Sequence, residues 1–399
     1  MVNSTAHINY AFSLSRKGLR ILGIWPDPFA PMSESHQYSL RLLIITCILC
    51  LYVFMPQVTN MILAWGNVTR MVENIASANY SMLALCKLVC TWYHGKTLRM
   101  LMTSVVTDWM ISKNDEDRST MLNIARHGRT LSFRCYITSS GALLFYLYIN
   151  IMKIYRNIHQ PHWILVYHFA YFYNIRKSPN YEITYVIQLL GGIYTAFINS
   201  TVDSFISILL LHICAQLINL RSALNNLVDE LAKKSISSAE FKKRLATITV
   251  RHEHLISNAK TIDDCYSTVL FINMFAVTFQ LCFQAFQIFT MITSNLNISV
   301  MRVSFLSFYV LLVISHLYIY CYSAERLLIE STSMAYGMYE CKWYDISPKD
   351  AKNLMFMAYR STIPLKLTAG KFGTFSLEMF ATTVKTSMGY LSALLTMMD

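Results

Sequence analysis

The sequence predicts an all-α membrane protein: seven transmembrane helices, a cytoplasmic N-terminus, an extracellular C-terminus and long cytoplasmic helical extensions. Three observations carry this. Of 399 residues, 54% are apolar and 14% charged, with a mean hydropathy of +0.38, a composition outside the range of soluble domains. Seven stretches, at 40–64, 72–92, 131–153, 184–213, 267–292, 303–325 and 375–397, are long enough to cross hydrocarbon as helices. Of the 34 Lys and Arg, about 26 lie in or beside the N-terminal segment and the connections after spans two, four and six, and about six beside the others, which places the first set inside the cell.

The net charge of +12 is scattered between apolar runs, unlike the clustered basic face that nucleic acid requires, so the expected surroundings are a lipid bilayer and no nucleic acid. An enzyme would need a clustered acid, base or metal set, and a transporter would often show repeated broken helices; the sequence offers neither, and no cofactor or metal is expected. The start has no apolar core behind a basic end, so the first span is expected to act as its own insertion signal.

Taken in order, the segment SRKGLRILGIW before Pro26 and Pro28 suits either a helix along the inner membrane surface or an ordinary packed amphipathic turn. Span two carries Asn79, Tyr80 and Lys87, the last expected to snorkel. Cys86, Cys90 and His94 share a face that could bind metal, but small packing residues are the expected reading. The charged KNDEDRST reads as a solvated linker. Span three ends in Phe145, Tyr146 and Tyr148, and the following external connection holds an apolar run, Trp163 to Phe172, too short to cross and read as a lid over the outer mouth. Sequons at Asn67 and Asn297 fall in external connections. Span four opens with Tyr185 and Gln188, holds Gly191 and Gly192 for close helix approach, and buries Asp203, a carboxylate that needs an unidentified partner.

Leu217, Leu220, Leu224, Leu227 and Leu231 step by three and four, a coiled-coil-like seam. Ser237 and Glu240 make a capping box that opens a second helix with the seam Phe241, Leu245, Ile248, His252, Leu255, Ala259 and Ile262. The segments 214–266 and 327–370 are therefore expected to form a cytoplasmic helical anchor region. Phe283, Phe286 and Phe289 in span five and Phe305, Phe308 and Tyr309 in span six, with span three, would surround an apolar outer cavity suited to small organic ligands, although aromatic stripes more often form core. Ser347-Pro348 caps a further helix in N-cap then N1 order, and Pro364 ends it. In the last span, 375–397, Glu378, Thr382, Lys385, Gly389, Ser392 and Thr396 fall on one face, which either packs in a helix seam or borders a conduction path.

The C-terminal run LMFMAYRSTIPLKLTAGKFGTFSLEMFATTVKTSMGYLSALL closely resembles the signature of insect odorant receptors, in its P-L-x-L-T-A-G-K-F segment, its S-L-x-x-F step and a K-T-S leading to a tyrosine. Length, span number, reversed orientation and the large connection after span four extend the resemblance over the chain. It implies a ligand-gated, nonselective cation channel of four subunits around a central pore, in which a subunit binding a volatile odorant assembles with a shared co-receptor in the plasma membrane of olfactory sensory neuron dendrites. It implies an odorant site in the outer parts of spans two, three, four and six, here Tyr80, Phe145, Tyr148, Tyr185, Gln188, Phe305, Phe308 and Tyr309. It implies a pore helix at 375–397 with the narrowest gate at Ala393 and Met397, flanked by Ser392 and Thr396 on the polar face.

The chain departs from the family in reading Ser387-Met388-Gly389-Tyr390-Leu391 where S-Y-S-Y-F is common. The small residue at 393 suits a subunit that relies on a co-receptor for its gate. The T-Y-x-x-x-x-x-Q-F ending of gustatory receptors is absent, and the chain is short for the co-receptor itself. The alternatives are a gustatory-type channel of the same superfamily and a seven-helix signalling receptor without a pore. The reversed orientation and the missing D-R-Y and N-P-x-x-Y signatures disfavour the latter.

Overall fold

The computed structural model describes residues 2–29, 40–66, 68–112, 114–156, 165–167, 171, 173–175, 177–293 and 300–396. Both sequons, Asn67 and Asn297, lie outside them, as do Met397 and most of the run from Trp163 to Phe172.

Helices stand at all seven predicted spans. The first is a broken helix, with α2 (Leu40–Cys47) and α3 (Met55–Leu63) joined by a π-helical segment, Ile48–Phe54. Pro56 is the cause: it has no N–H to give the carbonyl one turn back, and that carbonyl, on Tyr52, accepts the Tyr171 hydroxyl instead at 2.9 Å. The other spans are α4 (Val68–Tyr93), α6 (Asp115–Arg156), α7 (Asn180–Ala232), α8 (Ser238–Thr293), α9 (Val300–Glu340) and α11 (Leu377–Thr396), with α5 (Gly95–Ile111) and α10 (Pro348–Ser361) between them and α1 (Val2–Leu22) leading. Five of the seven are apolar and long enough to cross a membrane; α4 and α11 are the more polar pair.

The hub is α7, 94% buried along its apolar window, with α1, α4, α6, α8 and α9 packed around it. Close approach depends on small residues: Gly18 of α1 lies on Thr201, and Gly191 of α7 lies on Val53 in the π-helical segment. Leu43, Leu51, Leu144, Ile151 and Val186 remain exposed on the outside of the bundle, as a lipid-facing surface requires.

Beyond the predicted inner membrane face, α7 and α8 run on as a hairpin turned at 233–237. Leu217, Leu220, Leu224 and Leu227 are buried with Leu231 partly so, and Phe241, Leu245, His252, Leu255, Ala259 and Ile262 are buried opposite them. Burial pulls the His252 imidazole below its ordinary pKa, with the Arg360 charge adding to the effect. The two caps form as expected: Ser237 Oγ accepts from the Glu240 N–H at 3.2 Å, and Ser347 Oγ accepts from the Asp350 N–H at 3.3 Å.

Three expectations are corrected. KNDEDRST is no linker from Asp115 on, because Asp115, Glu116 and Asp117 occupy the first turn of α6, where carboxylates complement the positive end of the helix dipole. Lys87 does not snorkel; its side chain is 2% exposed. The N-terminal basic segment is not a turn: up to Leu22 it is the end of a 21-residue helix whose Phe12, Leu19 and Leu22 are fully buried.

At Gly191 a β-carbon would stand 2.3 Å from Val53 Cγ2, so Gly191→Ala is expected to lower the melting temperature of the purified chain through an overpacking cost of about 1–3 kcal/mol. Adding Val53→Ala should recover much of that loss, which a double-mutant melting series would reveal.

Candidate ligand cavity and its link to the last helix

A cavity of about 310 Å³ lies in the half of the bundle predicted to be outer, at the small end of the range for ligand pockets. One wall comes from Ser77, Tyr80 and Ser81 on α4, another from Ser139, Leu143 and Tyr146 on α6, and a third from Gly192, Thr195 and Ala196 on α7. Phe305, Leu306, Tyr309 and Leu312 of α9 close the far side, with Gln284 and Gln287 of α8 and Gln57 of α3 completing it. Tyr167 forms part of the cover; its backbone N–H and carbonyl are both held by the buried Gln188 amide, at 3.0 and 3.2 Å.

Of the residues singled out from sequence, Tyr80, Phe305 and Tyr309 line this cavity, with the Tyr80 and Tyr309 rings edge to face at 5.6 Å. Phe145 and Phe308 instead pack on each other at 4.9 Å, Phe308 filling the space above Gly141. Tyr148 is exposed, Tyr185 packs tilted against Tyr181, and Gln188 supports the cover rather than the lumen. The α8 wall is polar where an aromatic one was expected, because Phe286 turns into the core and the amides face the cavity. The missed signal is the recurrence of Gln280, Gln284 and Gln287 at steps of four and three, one face of a helix.

Beneath the cavity sits the partner that Asp203 needs. Lys87 Nζ of α4 lies 2.7 Å from one carboxylate oxygen and His316 Nδ1 of α9 lies 2.5 Å from the other, while the Tyr320 hydroxyl donates to the first. All four groups are buried. The Lys87 ammonium also stands 5.6 Å from the Tyr320 ring centroid, within cation–π range. On its far side the His316 ring reaches Ser139, a cavity residue, at 3.3 Å. At the other end the Tyr320 ring packs on Phe375 at 5.9 Å, two residues before α11.

The entry to α11 is fastened to α8 and α9. Thr368–Ala369 and Gly373–Thr374 pair as a short hairpin turned at Gly370, whose φ of +58° suits glycine. Asp263 accepts from the Thr368 N–H and hydroxyl, and burial raises its pKa against the opposing pull of those bonds. Glu325 accepts from the Leu377 N–H at 3.2 Å. Along α11, Thr383 and Ser387 are buried, Ser387 donating to the Thr278 carbonyl of α8 at 3.0 Å. Glu378, Thr382, Lys385, Gly389, Ser392, Ala393 and Thr396 all lie exposed.

Residues 67–388 match the family model described as 7tm Odorant receptor. The chain is 27% identical over 227 residues to Odorant receptor 13a of Drosophila melanogaster, covering 54% of this chain and 53% of that one. It is 27% identical over 144 residues to the odorant receptor coreceptor of Ooceraea biroi, covering 36% of this chain and 29% of that protein. These matches thus span about half or less of the relatives' lengths. In fold, the chain is similar to the olfactory receptor OR5 of Machilis hrabei solved in complex with eugenol, with a TM-score of 0.81 at 16% identity over 98% of this chain and all of that one.

Removing one member of the buried ion pair strands the other charge, at about 3–5 kcal/mol. Lys87→Met and Asp203→Leu are each expected to abolish or sharply reduce folded protein, whereas the double substitution should be less damaging than either. Fluorescence size-exclusion profiles of the three variants check this.

Proposed function

The chain belongs to the odorant receptor family, and from that premise we propose that it is the ligand-binding subunit of an odorant-gated, nonselective cation channel, working as a tetramer with a shared co-receptor. It is a multi-pass membrane protein; its placement in the plasma membrane of olfactory neuron dendrites is part of the proposal. The observation that carries the reading is the one-sided burial of α11. Lys385 lies eight residues into that helix, about 12 Å along its axis, and stays exposed with Glu378. Charged side chains at membrane depth face water or other protein, not lipid. A helix with such a stripe therefore calls for neighbouring subunits and a wet path between them.

The rest of the molecule supports this. Tyr336, Tyr339, Tyr344, Met355, Phe356 and Tyr359 are all more than 65% exposed in the predicted anchor region. So many large, exposed aromatic and apolar side chains in that region suit contact with further subunits. The eugenol bound to OR5 and the coreceptor match agree with a small organic ligand and a co-receptor partner. In this reading a volatile molecule enters the cavity and biases the packing of α9. The shift passes through His316, Asp203 and Tyr320 to Phe375 and changes the population of open α11 arrangements. Ser392, Ala393 and Thr396 border the pore, with Ala393 and Met397 the gate positions that the family resemblance implies.

Whole-cell recording of the chain with a co-receptor, over a broad odorant panel, tests the reading. Ligand-evoked cation current is expected; its absence despite surface expression would defeat the proposal. Cysteines at 392, 393 and 396 should make that current sensitive to thiol-directed blockers. Leu306→Trp, which fills the cavity, is expected to raise the half-maximal ligand concentration tenfold or more. Phe375→Ala should lower the maximal current with little change in ligand binding.

A further inference from the structure

We propose that this cavity recognises a molecule bearing a hydroxyl group, an alcohol or phenol, and that Gln57 and Gln284 read that group. The inference rests on the cavity being the ligand site. Gln57 is 1% and Gln284 5% exposed, and the side-chain oxygen of each is buried with no hydrogen-bond partner among the described residues. They come from different helices, α3 and α8, and line the same cavity.

Buried amides are rarely left so, because an unpaired polar atom costs about 1–3 kcal/mol. Two other glutamines of the same bundle provide the contrast. Gln188 bonds both backbone groups of Tyr167 and the Tyr171 hydroxyl, and Gln280 bonds the Tyr309 hydroxyl. Gln188 and Gln280 are thus engaged within the fold, whereas Gln57 and Gln284, which line the lumen beside Gln287, each keep a buried oxygen unmet among the described residues.

The chemistry of the missing partner follows. An amide oxygen needs a donor, so hydrocarbons, ethers and esters leave both oxygens bare, whereas a hydroxyl gives its one proton to one amide oxygen and can accept the N–H of the other amide. The Tyr309 hydroxyl accepts from Gln280 and keeps its own proton to give. A hydroxyl is the smallest group that donates to an amide oxygen and accepts from a phenol. It also meets an amide turned through 180°, where the nitrogen takes the place of the oxygen. Ordered water can fill such a site when empty, and a ligand that displaces it without replacing its hydrogen bonds loses affinity.

The test measures half-saturating concentrations from the ligand-induced rise in melting temperature of the full chain in nanodiscs. The probes are matched sets: 1-hexanol, 1-methoxyhexane and heptane; benzyl alcohol, benzyl methyl ether and ethylbenzene; linalool, its methyl ether and the parent hydrocarbon. On any skeleton that binds, the alcohol is expected to bind at least tenfold more tightly than its ether and hydrocarbon. Gln57→Leu and Gln284→Leu should each cut that preference below threefold while leaving hydrocarbon binding equal or stronger.

Should either variant fail to fold, the unsubstituted chain's preference decides alone. Ethers or hydrocarbons binding as tightly as alcohols, a preference that survives both substitutions, or no binding by any set would overturn the inference. A chain that binds the alcohols but passes no current with a co-receptor keeps this inference and defeats the channel reading instead.

Discussion

Everything in this bundle is arranged about one carboxylate. Asp203 sits at the centre of the hub helix with no solvent contact, where an unpaired charge would drive the group neutral or the fold apart. The cation comes from α4 and the two further donors from α9, so three helices are locked in register by a single side chain. Such a pair adds little net stability over well-packed apolar residues. Its value is in specifying one arrangement of helices that hydrophobic contact alone would let slide. Other polar contacts on α7 repeat the device: Ser207 to Ser323 of α9 at 2.5 Å, and His212 to Asp108 of α5 at 3.1 Å.

How much of this was legible follows from the range of each signal. Span positions, the Leu217 to Leu227 seam and the caps at Ser237 and Ser347 are local patterns, set by hydropathy and by spacing of three and four. They appear in the structure where the pattern put them. Asp203 announced a need but not its partner, because Lys87 and His316 lie more than a hundred residues away in opposite directions. The π-helical segment was hidden for a similar reason: Pro56 marks a broken bond, but only Tyr171 shows how the fold repairs it. The candidate site was legible by composition more than by residue. Aromatic side chains drew the reading toward Phe145 and Phe308, which pack on each other, while the amide stripe of α8, equally periodic, lines the cavity.

The last helix reverses the usual logic of burial. Its two inward hydroxyl residues, Thr383 and Ser387, are buried within the chain, Ser387 donating to the carbonyls of Thr278 and of Thr383 in its own helix. The stripe with both ionisable groups is left outside. In a soluble protein this would be unremarkable, since polar residues face water. In a helix at membrane depth the same stripe would be incompatible with lipid, which is the ground of the proposal that further subunits cover it. The hairpin before α11, fixed to Asp263 and with Leu377 held by Glu325, orients that helix without enclosing it.

A ligand in the cavity and a pore beside α11 would need a connection, and one helix supplies it. Tyr309, Leu312, His316 and Tyr320 recur along α9 at steps of three and four, so they share a face. At one end that face closes the cavity, in the middle it grips Asp203, and at the other it packs on Phe375. No relay of small displacements through many side chains is required when a single rigid element touches both sites. A ligand that favours a slightly different seating of α9 must either break the bonds to Asp203 or carry α7 and α4 with it. The first is costly in a dry interior, and the second moves the hub. Either way the ion pair resists the displacement, so the residues that hold the helices in register are the ones that a reseating of α9 must disturb.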